Sequence, residues 1–466
     1  MMNVQPLVLG SDALIFLLVA TLIAFGVKLA RDPLARAKWH KVFRTPVGMA
    51  SFLVILFYVL IALLDSIHFR EALVEEAGES VAQESEQTHY SHEVKSLLDL
   101  ILVDLSSRDE KTYSEPFATE SFAKENKTLD DGTVIRDYPP LQYGGQHLEA
   151  GESVLSDVLS HSLSAFWVAL AIMAAFVALH WQWRHRCTAN GCQMPSTLPW
   201  KTCYITLGCL LFISLWILEL GQFYHILGTD QVGRDVLYLA IKAVRTGVLI
   251  GTLATLLTLP IAILLGISAG YFRGWVDDLV QYVYTTLSSI PGILLIAASV
   301  LLIDVYIETH PEQFTLTTER ADFRFLALCF ILGMTSWTGL CRLLRAETLK
   351  VSQLEYVQAA RAFGVGPWRI IGKHILPNVT HIVLIALVLD FSGFVLAEAV
   401  LSYIGVGVDP SMASWGNMIN EARAELSREP VVWWTVAAAF LMMFGLVLAA
   451  NLFADRVRDA FDPRSH

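Results

Sequence analysis

The chain has 466 residues, 55% of them hydrophobic, with a mean hydropathy of +0.52 and a formal net charge of −11. So apolar a composition excludes a water-soluble globular protein. The charge is local: residues 65–161 hold 21 Asp and Glu against seven Lys and Arg, which leaves the rest slightly basic and gives no sign of nucleic-acid binding.

Runs of about 17–25 apolar residues fall near 12–30, 47–64, 162–181, 202–221, 240–270, 280–303, 323–341, 380–401 and 432–454. These nine candidate spans predict an all-α polytopic membrane protein. The first run lacks a basic leader and a small-residue cleavage site, so it is expected to be retained. Lys28, Arg31, Arg36, Lys38, Lys41 and Arg44 follow it, and such a Lys/Arg excess marks a cytoplasmic connection. The N-terminus is then outside, and the acidic segment 65–161 lies on the outer face.

That segment is too long for a plain loop and is expected to fold as a small domain of mixed or α character. His92–Leu105 has helical periodicity, with Val94, Leu97, Leu98, Ile101 and Leu102 on one side. Asp130–Leu148 is rich in turn residues and aromatics, which predicts extended chain or short strands. Its acidity suits a cationic ligand, although a solvated acidic surface is the commoner case.

Spans three and four flank a cytoplasmic connection with Arg184, Arg186 and Lys201. Cys187 and Cys192 lie there near His180 and His185, but the spacing is irregular and makes a poor zinc site. The six cysteines avoid the acidic segment and imply no disulfide framework in it. Next comes LGTDQVGRDV (Leu227–Val236), expected to be a tight turn feeding a short outer-surface helix. In span five, Gly247, Gly251, Gly266 and Gly270 suit close helix packing. Pro291-Gly292 predicts a kink in span six.

Span seven leads into Ser352–Asn378, a basic interruption with the pattern of helix, turn, helix. Leu354, Val357 and Phe363 fall at helical spacing, Gly364 and Gly366 punctuate, Pro367 is placed to start the second helix and Pro377 to follow its end. Ala359 and Ala360 are small enough to let another protein approach; an ordinary amphipathic surface helix fits the same pattern. Nothing resembles a phosphate-cradling loop, an HExxH helix or a nucleophile elbow, so the chain is not expected to be an enzyme or to bind a cofactor or metal itself. Asp390 and Glu398 in span eight, eight residues apart, are candidates for a polar path or for pairing with neighbouring spans.

Together these pieces resemble the permease subunits of bacterial ABC importers, in particular the dipeptide/oligopeptide/nickel branch. The family's EAA loop has Glu-Ala-Ala, a Gly four residues on and a closing Leu-Pro. Here it stands as Gln358-Ala359-Ala360, Gly364 and Leu376-Pro377. GTDQVGRDV, LSYIGVGVDPSMASWG and RDAFDPR match the branch in the same order. The resemblance implies a five-helix (MetI-like) permease core over 227–455, with the coupling loop at 352–378. It implies a second homologous permease subunit, cytoplasmic ATPase subunits that use ATP and magnesium, and an extracytoplasmic solute-binding protein. Tyr356, Ala359, Ala360, Arg361, Gly364 and Trp368, with Pro367, become the expected ATPase contacts. Gln358 departs from the family's acid, and Glu355 one turn earlier is the nearest substitute. Two spans in 1–64, the insert 65–161 and two more spans in 162–226 go beyond the branch's usual single span. The tail 456–466 is expected in the cytoplasm.

The expected function is thus an inner-membrane permease subunit for peptides, with nickel or cationic or modified peptides as the alternative cargo. A membrane sensor would need a cytoplasmic output domain, and a stand-alone secondary transporter would show inverted repeats.

Overall fold

The computed structural model describes residues 4–31, 33–72, 90–91, 94–128, 134–148, 152–189, 198–314 and 316–461. Cys192 and the last five residues, with the end of RDAFDPR, lie outside them, as do His92 and Asp130. The described residues are mostly helical, with five short strands and connecting turns.

In chain order, β1 (Val4–Leu7) precedes α1 (Gly10–Arg31), α2 (Pro33–Arg44) and α3 (Pro46–Asp65). The insert supplies β2 (His68–Glu71), β3 (Lys95–Ser96), α4 (Leu97–Ile101), α5 (Val103–Ser106), β4 (Glu125–Thr128) and β5 (Val134–Asp137). Then come α6 (Val154–Ala189), α7 (Trp200–Leu220), α8 (Val236–Phe272), α9 (Trp275–Ser289), α10 (Gly292–Thr309) and α11 (Thr317–Val351). The chain closes with α12 (Glu355–Ala362), α13 (Pro367–Ile370), α14 (Leu376–Ile404), α15 (Trp415–Ala422) and α16 (Trp434–Phe461).

Eight helices among the described residues are long and apolar enough to cross a membrane, against nine expected. The first expected span is a helix, but its described apolar part, Gly10–Thr21, is shorter. The sixth also differs. The chain does not kink at Pro291 inside a span over 280–303; the helix stops. Ile290 is extended, with φ −91° and ψ 131°, because the residue before a proline is pushed out of helical geometry. The apolar helix there is α10, and α9 is a separate amphipathic helix.

The insert also differs in detail. The helix expected over 92–105 begins only at Leu97, where Ser96 and Asp99 form a reciprocal capping box, and α4 and α5 replace one helix by two short ones. The short-strand expectation holds for β5, which pairs antiparallel with β4, Glu125 opposite Asp137. The outer-surface helix expected after LGTDQVGRDV does not form separately. Asp235 Oδ1 accepts the Tyr238 N–H at 2.9 Å, and the turn runs straight into the 37-residue α8.

The chain divides into two compact units. The first comprises 1–20, 53–246 and 413–445. In it β1, β2 and β3 form one antiparallel sheet, and Leu98, Leu102, Leu105, Leu220, Ile226 and Leu237 form a core. Two cations on the first turns of α8 are paired. Lys242 Nζ lies 2.6 and 2.7 Å from the Asp99 carboxylate oxygens, and Arg245 donates to Asp12 at 2.6 Å and Ser11 at 2.7 Å. His68 Nδ1 is 2.8 Å from the same Asp12 carboxylate. A buried charge left alone would cost several kcal/mol, on the order of 3–5, so this network fastens β2, α4 and the start of α1 to α8. Helices α6 and α7 pair Ser162 with Trp216 and His180 with Tyr204, so they run antiparallel.

The second unit comprises 21–52, 247–412 and 446–466. Its core holds Leu259, Ile267, Tyr271, Trp337, Leu344, Val357, Ile370 and Ile375. Of the span-five glycines, Gly251, Gly266 and Gly270 pack closely as expected. A Cβ on Gly266 would meet the Cys341 carbonyl at 2.7 Å, and one on Gly270 would meet Thr348 Cβ at 2.7 Å, so α8 and α11 touch backbone to backbone.

Candidate functional site

The helix–turn–helix of 352–378 forms, and its turn has a specific chemistry. After α12 the Val365 N–H donates to the Ala360 carbonyl and the Gly364 N–H to that of Arg361. This Schellman closure needs a left-handed residue at Gly364, whose φ is +75°. Gly366 then precedes Pro367, which starts α13 where its missing N–H costs nothing.

The expected end at Pro377 is not an end. Residues Pro367–Ile404 run on as one helical rod, with a π-helical turn at Ile371–Ile375 where α13 joins α14. Pro377 cannot donate, and the wider turn absorbs the register change that its ring imposes. The loop is therefore welded to the span that follows it.

Of the helically spaced residues, only Val357 is buried; Leu354 is half exposed and Phe363 stands 86% exposed. Val357 and Ile370 anchor the two helices in the core, with Ala360 packed beside them. Ala360 is therefore mainly a packing residue, whereas Glu355, Gln358, Ala359 and Gly364 face outward. Arg361 lies over the Tyr271 ring, 5.0 Å from its centroid, and Trp368, 67% exposed, meets Phe272 edge-on at 5.7 Å. Tyr356 OH accepts from Asn378 Nδ2 at 3.0 Å, which ties the first helix to the second. Gln358 makes only a long contact, 3.5 Å, to the Gln353 carbonyl. Beneath the loop, Arg345 NH2 donates to Asp277 at 2.7 Å and holds that carboxyl below its usual range. The missed residue is Phe363. Its apolar side chain sat on the same stripe as Val357, and the signal against burial was its place at the end of the helix, next to Gly364.

The motif at 227–236 is built differently. Around Leu227–Val236 the chain's own insert fills the loop. The Thr229 hydroxyl accepts the Ser114 N–H at 2.7 Å and donates to the Thr112 carbonyl at 2.8 Å. The Trp434 indole N–H donates to the Thr229 carbonyl at 3.0 Å. Gly228 and Gly233 have φ of +66° and +89°, and a Cβ on Gly233 would sit 1.8 Å from the Glu110 carbonyl oxygen.

Glu110 is the centre of this clasp. Its carboxylate accepts the N–H groups of Gln142 at 2.9 Å, Tyr143 at 2.8 Å and Gly144 at 3.3 Å, and His225 Nε2 lies 3.7 Å away, an ion-pair distance. His225 Nδ1 meets Asp235 Oδ2 at 2.9 Å. Burial opposes the charge on Glu110, but His225 and the three backbone donors hold its pKa at about 2. Burial likewise favours neutral His225, yet Asp235 and Glu110 lift it to about 9. The clasp is thus an imidazolium between two carboxylates. No local pattern in the sequence announces it, because Glu110 lies 32 residues from Gln142 and Ser114 lies 115 from Thr229.

The two acids of span eight separate in character. Glu398 is 1% exposed and accepts from the Ser402 hydroxyl at 2.7 Å, beside the left-handed Gly405 that ends α14. Asp390 is half buried in mid-helix. The His180 ring lies 4.4 Å from the Trp200 ring at a 39° tilt and engages the Tyr204 hydroxyl, an aromatic cluster at the ends of α6 and α7.

The geometry is that of a membrane protein with one folded loop that exposes Phe363 and Trp368 and a second motif, Leu227–Val236, held by the chain's own insert. The sequence profile described as binding-protein-dependent transport system inner membrane component matches residues 262–466. The glutathione transport system permease protein GsiD of Pectobacterium atrosepticum is 32% identical over 242 residues, 52% of this chain and 73% of that protein. The oligopeptide transport system permease proteins OppC of Mycobacterium bovis and of Haemophilus influenzae are each 32% identical over 241 residues, 52% of this chain and 76% and 71% of theirs. Among solved structures, an inward-facing form of the MetNI methionine ABC transporter overlaps 48% of this chain and 97% of its own, at 15% identity and a TM-score of 0.38. The chain belongs to the family of inner-membrane components of binding-protein-dependent transport systems.

Proposed function

We propose that this chain is a translocation subunit of an ATP-driven peptide importer, and that Glu355–Pro377 is the element through which ATPase subunits drive it. The observation that carries this reading is the weld. An outward-facing surface of Tyr356, Ala359, Phe363 and Trp368 sits on two helices anchored by Val357 and Ile370, and the second continues without a break into α14. A push on that surface moves a span as a rigid body. Peptide cargo is supported by the names of the relatives; nickel or cationic or modified peptides are the other cargo class in this branch.

In this reading a second homologous permease completes the path, and a solute-binding protein delivers cargo on the face that carries the insert. The loop faces the cytoplasm, where the basic cluster around it also belongs. The N-terminus is then outside and the C-terminus inside. The partner ATPases hold the ATP and magnesium. Asp390 is the candidate for a polar point along the path. The insert's role is to stabilise the outer loops to which it is clasped.

The test is the assembled importer in nanodiscs carrying Phe363→Ala with Trp368→Ala. Stimulation of ATP hydrolysis by the loaded binding protein should fall at least about tenfold, the effect of losing two aromatic anchors at an interface. The melting temperature of the isolated chain should not move. Undiminished stimulation and uptake would refute the coupling assignment. Uptake of labelled peptides against nickel into proteoliposomes separates the two cargo classes.

A further inference from the structure

A second cluster in the first unit has no part in coupling or in the clasp. His147, in the last loop of the insert, and Asp157 and His161, one turn apart near the start of α6, bring three ligand atoms within 4.8 Å of one another. His147 Nε2 lies 2.8 Å from Asp157 Oδ2, and His161 Nε2 lies 3.6 Å from Asp157 Oδ1. These separations bracket the spacing of about 3.0–3.5 Å between ligands on one ion at metal–ligand bonds near 2.0–2.2 Å.

The surrounding groups make this more than a chance meeting of side chains. Glu219 Oε1, at the end of α7, lies 3.3 Å from His161 Nδ1. A carboxylate on that nitrogen fixes the imidazole as Nδ1–H and leaves the Nε2 lone pair directed at the Asp157 side, the usual outer partner of a ligating histidine. Tyr224 OH donates to Asp157 at 2.7 Å and orients the carboxylate in the same way. The Phe223 ring stands 4.6 Å from His147 and 4.4 Å from His161 and shields one side. The loop carrying His147 is placed by the Gly145 N–H, which donates to the Phe223 carbonyl at 2.9 Å, where a left-handed φ of +70° is required.

We propose that His147, Asp157 and His161 bind a divalent first-row transition metal of the imidazole-preferring kind, zinc or cobalt rather than magnesium or calcium. Two nitrogens and one carboxylate oxygen are the donor set, and neighbouring carboxylates supply the negative surroundings. The ion ties the end of the insert to α6, which is hydrogen-bonded in turn to α7. It acts as a structural staple independent of the coupling loop, so the test does not depend on transport.

The purified full-length chain in nanodiscs is titrated with Co²⁺ and Zn²⁺, followed by calorimetry and by the visible spectrum of Co²⁺. One site with two imidazole nitrogens in the X-ray absorption spectrum of the zinc-loaded wild type is expected, and magnesium should give no heat. His147→Ala and His161→Ala should each weaken binding by at least tenfold, and Glu219→Gln, which leaves all three ligands in place, by about 10–100-fold. Absence of a cobalt band at up to about 0.1 mM metal, an absorption spectrum without imidazole, or unchanged affinity in the histidine variants would overturn the proposal. Because the wild-type spectra alone decide between the first outcomes, a variant that fails to fold does not shield it.

Discussion

The two glycine-punctuated loops of this chain, 227–236 and 355–376, hold residues of the same backbone type in opposite surroundings. Gly364 and Gly233 both have left-handed φ, +75° and +89°. Around Gly364 a Cβ would meet nothing within 4 Å; at Gly233 it would lie 1.8 Å from the Glu110 carbonyl oxygen. The first glycine serves the turn alone. The second serves the turn and a neighbour, and that neighbour is the chain's own insert. A loop whose polar groups are already met needs no partner to complete it, whereas one that shows Phe363 and Trp368 to its surroundings has yet to bury them.

The sharpest way to break this contrast is a pair of alanines. Gly233→Ala forces a backbone clash as well as a strained φ, and we expect a loss of about 3 kcal/mol or more together with release of the insert. Gly364→Ala meets only the φ cost, about 1–2 kcal/mol. Thermal unfolding, with protease sensitivity of residues 110–145, reads both. Equal losses would mean that the insert does not depend on the loop.

The pH dependence of the clasp gives the next largest effect. Glu110 has its pKa lowered from 4.5 to about 2, so its contribution is present above 4.5 and fades as pH falls through about 2. His225 is raised from 6.5 to about 9, so its contribution is complete below 6.5 and is lost as pH rises through about 9. The insert should therefore be held best between 4.5 and 6.5 and should loosen progressively from 6.5 to 9. Hydrogen exchange at the amides of Gln142–Gly144, which donate to Glu110, follows it directly. His225→Gln should abolish the alkaline change and shrink the acid one, which the three backbone donors to Glu110 then carry alone; an alkaline change that persists in that variant would assign it elsewhere. The loop at 355–376 should show no matching change over the same range.

How much of this was visible beforehand follows the same division. The helix–turn–helix at 355–376 was legible because its signals are local: Gly364, Gly366 and Pro367 dictate backbone geometry within a few residues. Most spans were legible for the reason that hydrocarbon demands about 20 apolar residues in sequence. Span six failed where a local rule was underweighted, since Pro291 excluded helix at Ile290 and turned an expected kink into a break. The exposure of Phe363 was not legible, because periodicity reports hydrophobicity and cannot say whether an apolar side chain meets its own core or stands exposed. The clasp and the His147 cluster were illegible in principle. Thr229 meets Ser114 115 residues away, and no pattern in either segment encodes that meeting.

The smallest expected effect concerns Gln358, where the family carries Glu. Gln358 is exposed, and its side chain makes a long 3.5 Å contact to the Gln353 carbonyl. Gln358→Glu should therefore change the stability of the isolated chain by less than about 0.5 kcal/mol, the ordinary range for an open surface position. If the acid at this position works by a salt bridge to the ATPase, the variant should instead raise stimulated hydrolysis in the assembled importer, with a gain that shrinks as salt is added. If the apolar surface of Phe363 and Trp368 carries the contact, hydrolysis should stay within about twofold at all salt concentrations. We expect the second result, because Phe363 and Trp368 stand 86% and 67% exposed on this loop and Glu355 already lies one turn away.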